Sequence, residues 1–200
     1  MPTTSVPEAR RLVIGEALLR LVAREGLEAV SLRAVAAEAD TSLGMVQRQF
    51  ATKDDLLLFA AKLVGEAMAE RVRRVPYRAP VLETLRRIVD ELLPLDAERM
   101  VEARVYHAFT ARAATRPDFA AIVARQDGEL QETLAKVFAI AEQEGELPAG
   151  QDHTALARLL SSVLDGASLA LVTRPPEADP ATYVAGVDLV LDLIKRPATS

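Results

Sequence analysis

Gln47, Arg48 and Gln49, with Ser42 and Met45 just ahead of them, bring amide, guanidinium and hydroxyl groups into one short stretch. A glutamine amide pairs bidentately with adenine or donates to a phosphate, and an arginine forks onto a phosphate or a base edge. The chemistry these types support is recognition of nucleic acid, not bond-making. Val46 and Phe50 stand four apart in the same stretch. On a helix they share a buried face, and the polar side chains turn away from it.

Such a face needs a second element behind it. Ser31 is placed to cap a short helix carrying Leu32, Val35, Ala36 and Ala39, an apolar stripe at helical spacing. Asp40, Thr41 and Ser42 then break that helix with residues that prefer turns and caps. The second short helix is expected over residues 43–49. Thr52 and Asp55 have the spacing of a capping box, with Asp in the Glu position, opening a long helix over about 53–75. Two short helices with one buried and one polar face suit a helix laid in a DNA major groove. The same apolar spacing also suits an ordinary helical hairpin.

The wording of the segment is more specific. An amphipathic helix over residues 10–25 is followed by Gly26-Leu27 and the Ser31 cap. Then come Ala39-Asp40-Thr41-Ser42-Leu43-Gly44-Met45-Val46-Gln47-Arg48-Gln49-Phe50 and Lys53-Asp54-Asp55-Leu56. This resembles the DNA-binding domain of the TetR (tetracycline-repressor) family of bacterial regulators, closely over about the first quarter of the chain. The resemblance implies that Ser42, Met45, Gln47, Arg48 and Gln49 face the groove and that Leu43 touches a thymine methyl. It implies that Gly44 lets the helix start approach the backbone, and that Ser31, Arg33 and Lys53 hold phosphates and fix register. Three departures stand out. Asp40 replaces a turn glycine, and Asp tolerates left-handed backbone better than most residues. Thr41 stands at an apolar position. Gln47 and Gln49 replace aromatic or histidine positions, so no operator sequence carries over from relatives.

Half of the 200 residues are hydrophobic, only 4% are aromatic, and tryptophan and cysteine are absent. The Ala-, Leu-, Val-, Glu- and Arg-rich composition favours helix over sheet, and the lack of cysteine excludes disulfides and thiolate metal sites. The net charge of −5 by itself points away from nucleic acid. Residues 1–53, however, hold 7 basic and 6 acidic side chains, a balance of +1. The remainder holds 17 and 23, a balance of −6. The acidity belongs to the C-terminal part, leaving Arg33, Arg48 and Lys53 to converge on phosphates. No stretch is expected to approach the length of a membrane span, and a cytoplasmic location is expected.

The predicted fold class is all-α, with about nine helices: a helix-turn-helix domain over residues 1–52 and a regulatory and dimerisation domain over 53–200. After the long helix come helices over about 81–93, 96–114, 117–144, 153–173 and from 180 to before Pro197. Pro94, Gly145 and Arg174-Pro175-Pro176 act as breaks, and Asp152 and Asp179-Pro180 as starts. The last two helices, about 153–173 and 180–196, present Leu156, Leu159, Leu160, Val163, Leu164 and Ala167, then Val184, Val187, Leu191 and Ile194, with Gly186 for close approach. The pattern fits either core or interface; the resemblance implies a homodimer paired through these helices. Two identical heads then read two half-sites of double-stranded DNA.

The resemblance also implies a small-molecule effector pocket in the C-terminal part, with Met100, Arg104, Tyr106, His107, Phe109, Phe138 and Asp165 as candidates. Each has a plainer reading as packing or as a hydrogen-bonded helix residue. The C-terminal part looks loosely like the subgroup of the choline-responsive repressor of betaine synthesis. With few aromatics, though, a cage for a quaternary ammonium is hard to assemble. The expected function is that of a ligand-responsive repressor. No catalytic residue, cofactor or metal site is expected, because nucleophile-elbow, phosphate-loop and zinc motifs are absent. The competing classes are a helical enzyme using an unrecognised carboxylate pair and a helical adaptor whose head binds protein.

Overall fold

The computed structural model describes residues 6–175 and 177–195; Pro176 and Pro197, expected at two of the breaks, lie outside them. Among the described residues the chain is helical, without strands. The helices are α1 (Val6–Glu25), α2 (Leu32–Glu38), α3 (Leu43–Gln49), α4 (Lys53–Arg74), α5 (Val81–Leu92), α6 (Ala97–Ala113), α7 (Pro117–Gln143), α8 (His153–Thr173) and α9 (Pro180–Ile194). A short 3-10 turn, Leu27–Ala29, follows Gly26, whose φ of 80° requires a residue without a Cβ.

Local chemistry accounts for most boundaries. The hydroxyls of Ser31 and Ser42 accept from the amides of Ala34 and Met45, each at 3.1 Å, and so start α2 and α3. Between them Asp40 adopts φ 49°. The Asp40 amide donates to Ala37 O (3.2 Å) and the Thr41 amide to Ala36 O (2.9 Å), the paired bonds of a left-handed helix stop. Asp here does the work of glycine. The Thr52–Asp55 box is reciprocal: Thr52 N donates to Asp55 Oδ2 at 2.9 Å, and Asp55 N to Thr52 Oγ1 at 3.0 Å. Gly145, at φ 73°, closes α7 with the same pair of bonds seen at Asp40. Asp152 and Asp179 cap α8 and α9 through the amides of Ala155 and Ala181.

The chain divides into two compact units, Met1–Glu66 with Val101–Ala120, and Ala67–Met100 with Ala121–Ser200. The first unit reaches past residue 52 because Leu56, Leu57, Ala60 and Val64 of α4 share one core with α1–α3. In α1 that core takes Ile14, Ala17, Leu18, Leu21 and Val22, which recur on one helical face. Gly15 sits where α1 meets α4: a Cβ there would stand 2.5 Å from Leu63 Cδ1 and 2.9 Å from Phe59 Cε1.

The second unit packs α5, α7, α8 and α9 around Leu85, Ile88, Phe138, Leu160, Leu164 and Val187. Proline at the N-cap of α5 offers no capping side chain. Instead, Glu146 accepts from the amides of Val81 (2.7 Å) and Leu82 (2.9 Å) with its two carboxylate oxygens. The expectation that no stretch approaches a membrane span needs correcting for α8, which is long and apolar enough by composition, with a mean hydropathy of 1.5. Its inner face, Leu160, Leu164 and Leu171, is core, and Leu159 and Leu169 on the outer face account for the surplus.

Candidate nucleic-acid interface

The seat of α3 is apolar. Val46 and Phe50 are buried, at 0% and 1% exposure. The Phe50 ring lies 5.2 Å from Phe59 of α4, and the Arg11 guanidinium stacks 4.6 Å above Phe50 and 4.9 Å above Phe59. Phe50 also ends the helix, its amide donating to Val46 O at 2.8 Å. A short helix of weak intrinsic stability is thus fixed from below.

The opposite face is open. Ser42, Gly44, Gln47 and Arg48 are exposed, and Leu43, Met45 and Gln49 are half-buried at its edges. Nothing lies within 4 Å of the direction a Gly44 side chain would take. Arg48 Nε donates to Gly44 O at 3.3 Å, holding the guanidinium along its own helix. Ser31 and Arg33 are exposed at the start of α2, and Lys53 is half-buried in the first turn of α4. Each cap commits one lone pair of Ser31 or Ser42 and leaves the hydroxyl proton available to an acceptor.

Charge is sorted within the same unit. Arg24 and Arg20 converge on Glu38 at 2.8 and 3.2 Å, and these hydrogen bonds hold its carboxyl below the usual carboxylate range. Asp54, next to Lys53, accepts from both Arg112 and Arg116, the latter at 2.7 Å. Arg33, Arg48 and Lys53 take part in no ion pair among the described residues, so three cations are left for phosphates. Arg11 and the Asp54 cluster escaped the sequence reading. Their partners lie 39 or more residues away, beyond any periodicity. A basic residue beside the helical stripe of α1 was the sole trace of Arg11.

The proposed effector residues are placed in different settings. Phe109 is buried against Phe119 (4.6 Å between rings) in the first unit, and Phe138 is buried in the core of the second. Arg104 and Asp165 are exposed; Met100, Tyr106 and His107 are half-buried. Tyr106 meets His107 edge-on at 5.3 Å. Burial holds the His107 imidazole below its ordinary value, since desolvation disfavours the cation. The unfolded chain therefore takes up this proton first as pH falls. The stability tied to neutral His107 is present above pH about 6.5 and is lost progressively below it. Proton NMR should give a His107 midpoint below that of a free histidine, and His107→Gln should flatten the stability profile between pH 7 and 5.

A buried seat, an open polar face and caps at both helix starts define a helix-turn-helix of the kind that lays its second helix in a DNA major groove. Residues 14–59 match the family described as bacterial regulatory proteins, tetR family, and residues 81–195 match the BetI-type transcriptional repressor, C-terminal domain. The chain is 32% identical over 176 residues to the HTH-type transcriptional regulator PksA of Bacillus subtilis, covering 88% of this chain and 84% of that one. It is also 32% identical over 199 residues to the HTH-type transcriptional repressor KstR of Rhodococcus jostii, covering 96% and 85%. The crystal structure of a transcriptional regulator from Rhodococcus sp. Rha1 superposes with a TM-score of 0.82 at 29% identity, over 95% of this chain and 96% of that one. The protein belongs to the TetR family, whose members named here are regulators of transcription.

Proposed function

We propose that the protein is a cytoplasmic, homodimeric, non-enzymatic repressor that leaves a pseudo-palindromic operator when a small molecule binds. The observation that carries this reading is the division of α3 into a buried Val46–Phe50 seat and an exposed face bearing Gln47 and Arg48. Residues 1–52 form the reading head, and residues 53–200 carry dimerisation and effector binding. Gln47, Gln49, Met45 and Leu43 meet base edges, with Gly44 leaving room. Arg48, Lys53, Arg33, Ser31 and Ser42 hold the backbone. Effector contact centres on the half-buried Tyr106–His107 pair. Effector binding favours a head separation that no longer fits the half-sites, with a coupling of about 1–3 kcal/mol.

Binding of the purified protein to DNA flanking its own gene, at two salt concentrations against a scrambled competitor, tests the reading. Specific, salt-sensitive binding by two protomers supports it. Failure there and in a random-sequence selection would remove it. Arg48→Ala and Lys53→Ala should each weaken binding and lower the salt slope by about 1. Unchanged affinity and slope in both would displace the contact surface.

The dimer face keeps Leu159 from the residues the periodicity suggested and adds Leu169, Leu189 and Leu193, which it did not. Leu160, Leu164, Val187, Leu191 and Ile194 are committed to the subunit core, whereas Leu159, Leu169, Leu189 and Leu193 stand about half exposed. Four outward leucines on the last two helices fit a second copy better than water. Leu189→Glu with Leu193→Glu should give monomers in analytical ultracentrifugation while the helix content stays unchanged.

A further inference from the structure

Arg20 and Arg24 of α1 close on a carboxylate, Glu38, at 3.2 and 2.8 Å. Arg11, on the same helix, makes no ion pair among the described residues and takes aromatic partners instead. Its guanidinium carbon lies 4.6 Å from the centre of the Phe50 ring and 4.9 Å from that of Phe59. The two rings stand 5.2 Å apart at an angle of 47°, so one cation covers both. Gly15, one turn along α1 and on the same face as Arg11, brings the helix into reach. A Cβ on Gly15 would stand 2.9 Å from Phe59 Cε1, so the α1 backbone lies directly on that ring.

Three elements therefore meet under one guanidinium: α1, the end of α3 and the first half of α4. Phe50 is the C-cap of α3, and its amide closes the last turn on Val46 O at 2.8 Å. That turn carries Gln47, Arg48 and Gln49. With 7 residues, α3 is far too short to hold its own shape. The Ser42 cap fixes its start and the Val46 seat its middle, and the cation over Phe50 fixes its end. Taking the DNA-reading function given above, we propose that Arg11 is a positioning residue. It sets the pose of the last turn of α3, and with it sequence discrimination, without touching DNA.

The ring that Arg11 covers belongs to the buried seat, and the exposed face of α3 with Gln47 and Arg48 is the other one. Simple cover for an apolar surface would need only the aliphatic stem of a long side chain. Here the charged end itself lies over the rings, so the charge is what the geometry uses.

Arg11→Met keeps the stem and removes the charge. The full chain and this variant are titrated with DNA selected from a random-sequence pool and with scrambled DNA, over a series of salt concentrations. The variant should lose roughly tenfold in affinity for the selected DNA, on the scale of two cation–π contacts. Its affinity for scrambled DNA should change little, and its salt slope should stay as it was. Arg11→Lys restores a cation over the rings and should recover part of the loss. In hydrogen exchange, the Phe50 amide should exchange faster in Arg11→Met. If Arg11→Met does not fold, Arg11→Gln, equally uncharged, takes its place.

A salt slope lower by about 1 would overturn the proposal, because Arg11 would then hold a phosphate itself. Equal losses on both DNAs would reduce Arg11 to general support of the head, and a lysine variant no better than the methionine one would remove the role of charge. A wild-type chain that selects no DNA would count against the DNA-reading function. Phe50 exchange needs no DNA, and unchanged exchange in the variant would by itself overturn the positioning role.

Discussion

Phe50→Ala should cost the protein about 3–5 kcal/mol and abolish operator binding, the range seen when a buried phenylalanine is truncated. Phe50 is 1% exposed, packs 5.2 Å from Phe59 and lies beneath the Arg11 guanidinium. Removing the ring leaves a cavity under α3 and takes the aromatic face away from a cation that stacks on it. It also loosens the point at which the reading helix ends. Phe50→Leu refills much of the space and should cost less than half as much. Urea unfolding, followed by operator titration under native conditions, separates lost folding from lost contact. A loss below 1 kcal/mol with DNA binding intact would mean that α3 is seated in some other way.

Glu146→Ala should destabilise the second unit by about 2–4 kcal/mol. Its carboxylate is the acceptor for two amides at the start of α5, where Pro80 offers none. Leaving both amides unpaired in a partly buried setting costs about 1–3 kcal/mol each, moderated by water reaching the gap. The negative charge also favours a helix N-terminus by a further few tenths to 1 kcal/mol. Hydrogen exchange gives a local check: the Val81 and Leu82 amides should exchange much faster in the variant. Glu144→Ala, two residues away and exposed, should change neither stability nor those rates.

What could be read from the chain was what acts over three or four residues. The caps at Ser31, Ser42, Thr52, Asp152 and Asp179 and the left-handed stop at Asp40 all involve near neighbours, so residue type and spacing determine them. The ends of α4, α5 and α7 fell within a residue or so of expectation for the same reason. α1 starts four residues earlier than its apolar stripe suggested, because Pro7, Glu8, Ala9 and Arg10 are exposed and carry no periodicity. The Glu146 cap joins positions about 65 residues apart, and Asp54 reaches Arg112 and Arg116 across 58 and 62. Nothing local encodes such pairs. The division of the last two helices into core and outward faces was not legible for a different reason. On α8 and α9 leucine occupies both faces, and a helical period finds the stripes without saying which one the subunit keeps. The effector candidates were chosen by chemical type, and type does not distinguish Phe138, a core residue, from a ligand contact.

Gly15 carries a mechanical consequence. Because Leu63 Cδ1 and Phe59 Cε1 stand where a methyl group on Gly15 would go, the α1 backbone packs directly on these α4 side chains, and a methyl group enters only if they shift. Packed contacts of this kind behave as a hard stop and not as a spring. A tilt of the first half of α4 would therefore be expected to carry α1 with it. Gly15→Ala would insert a spacer into that joint, and on the proposed mechanism effector binding would persist while its effect on operator affinity weakened.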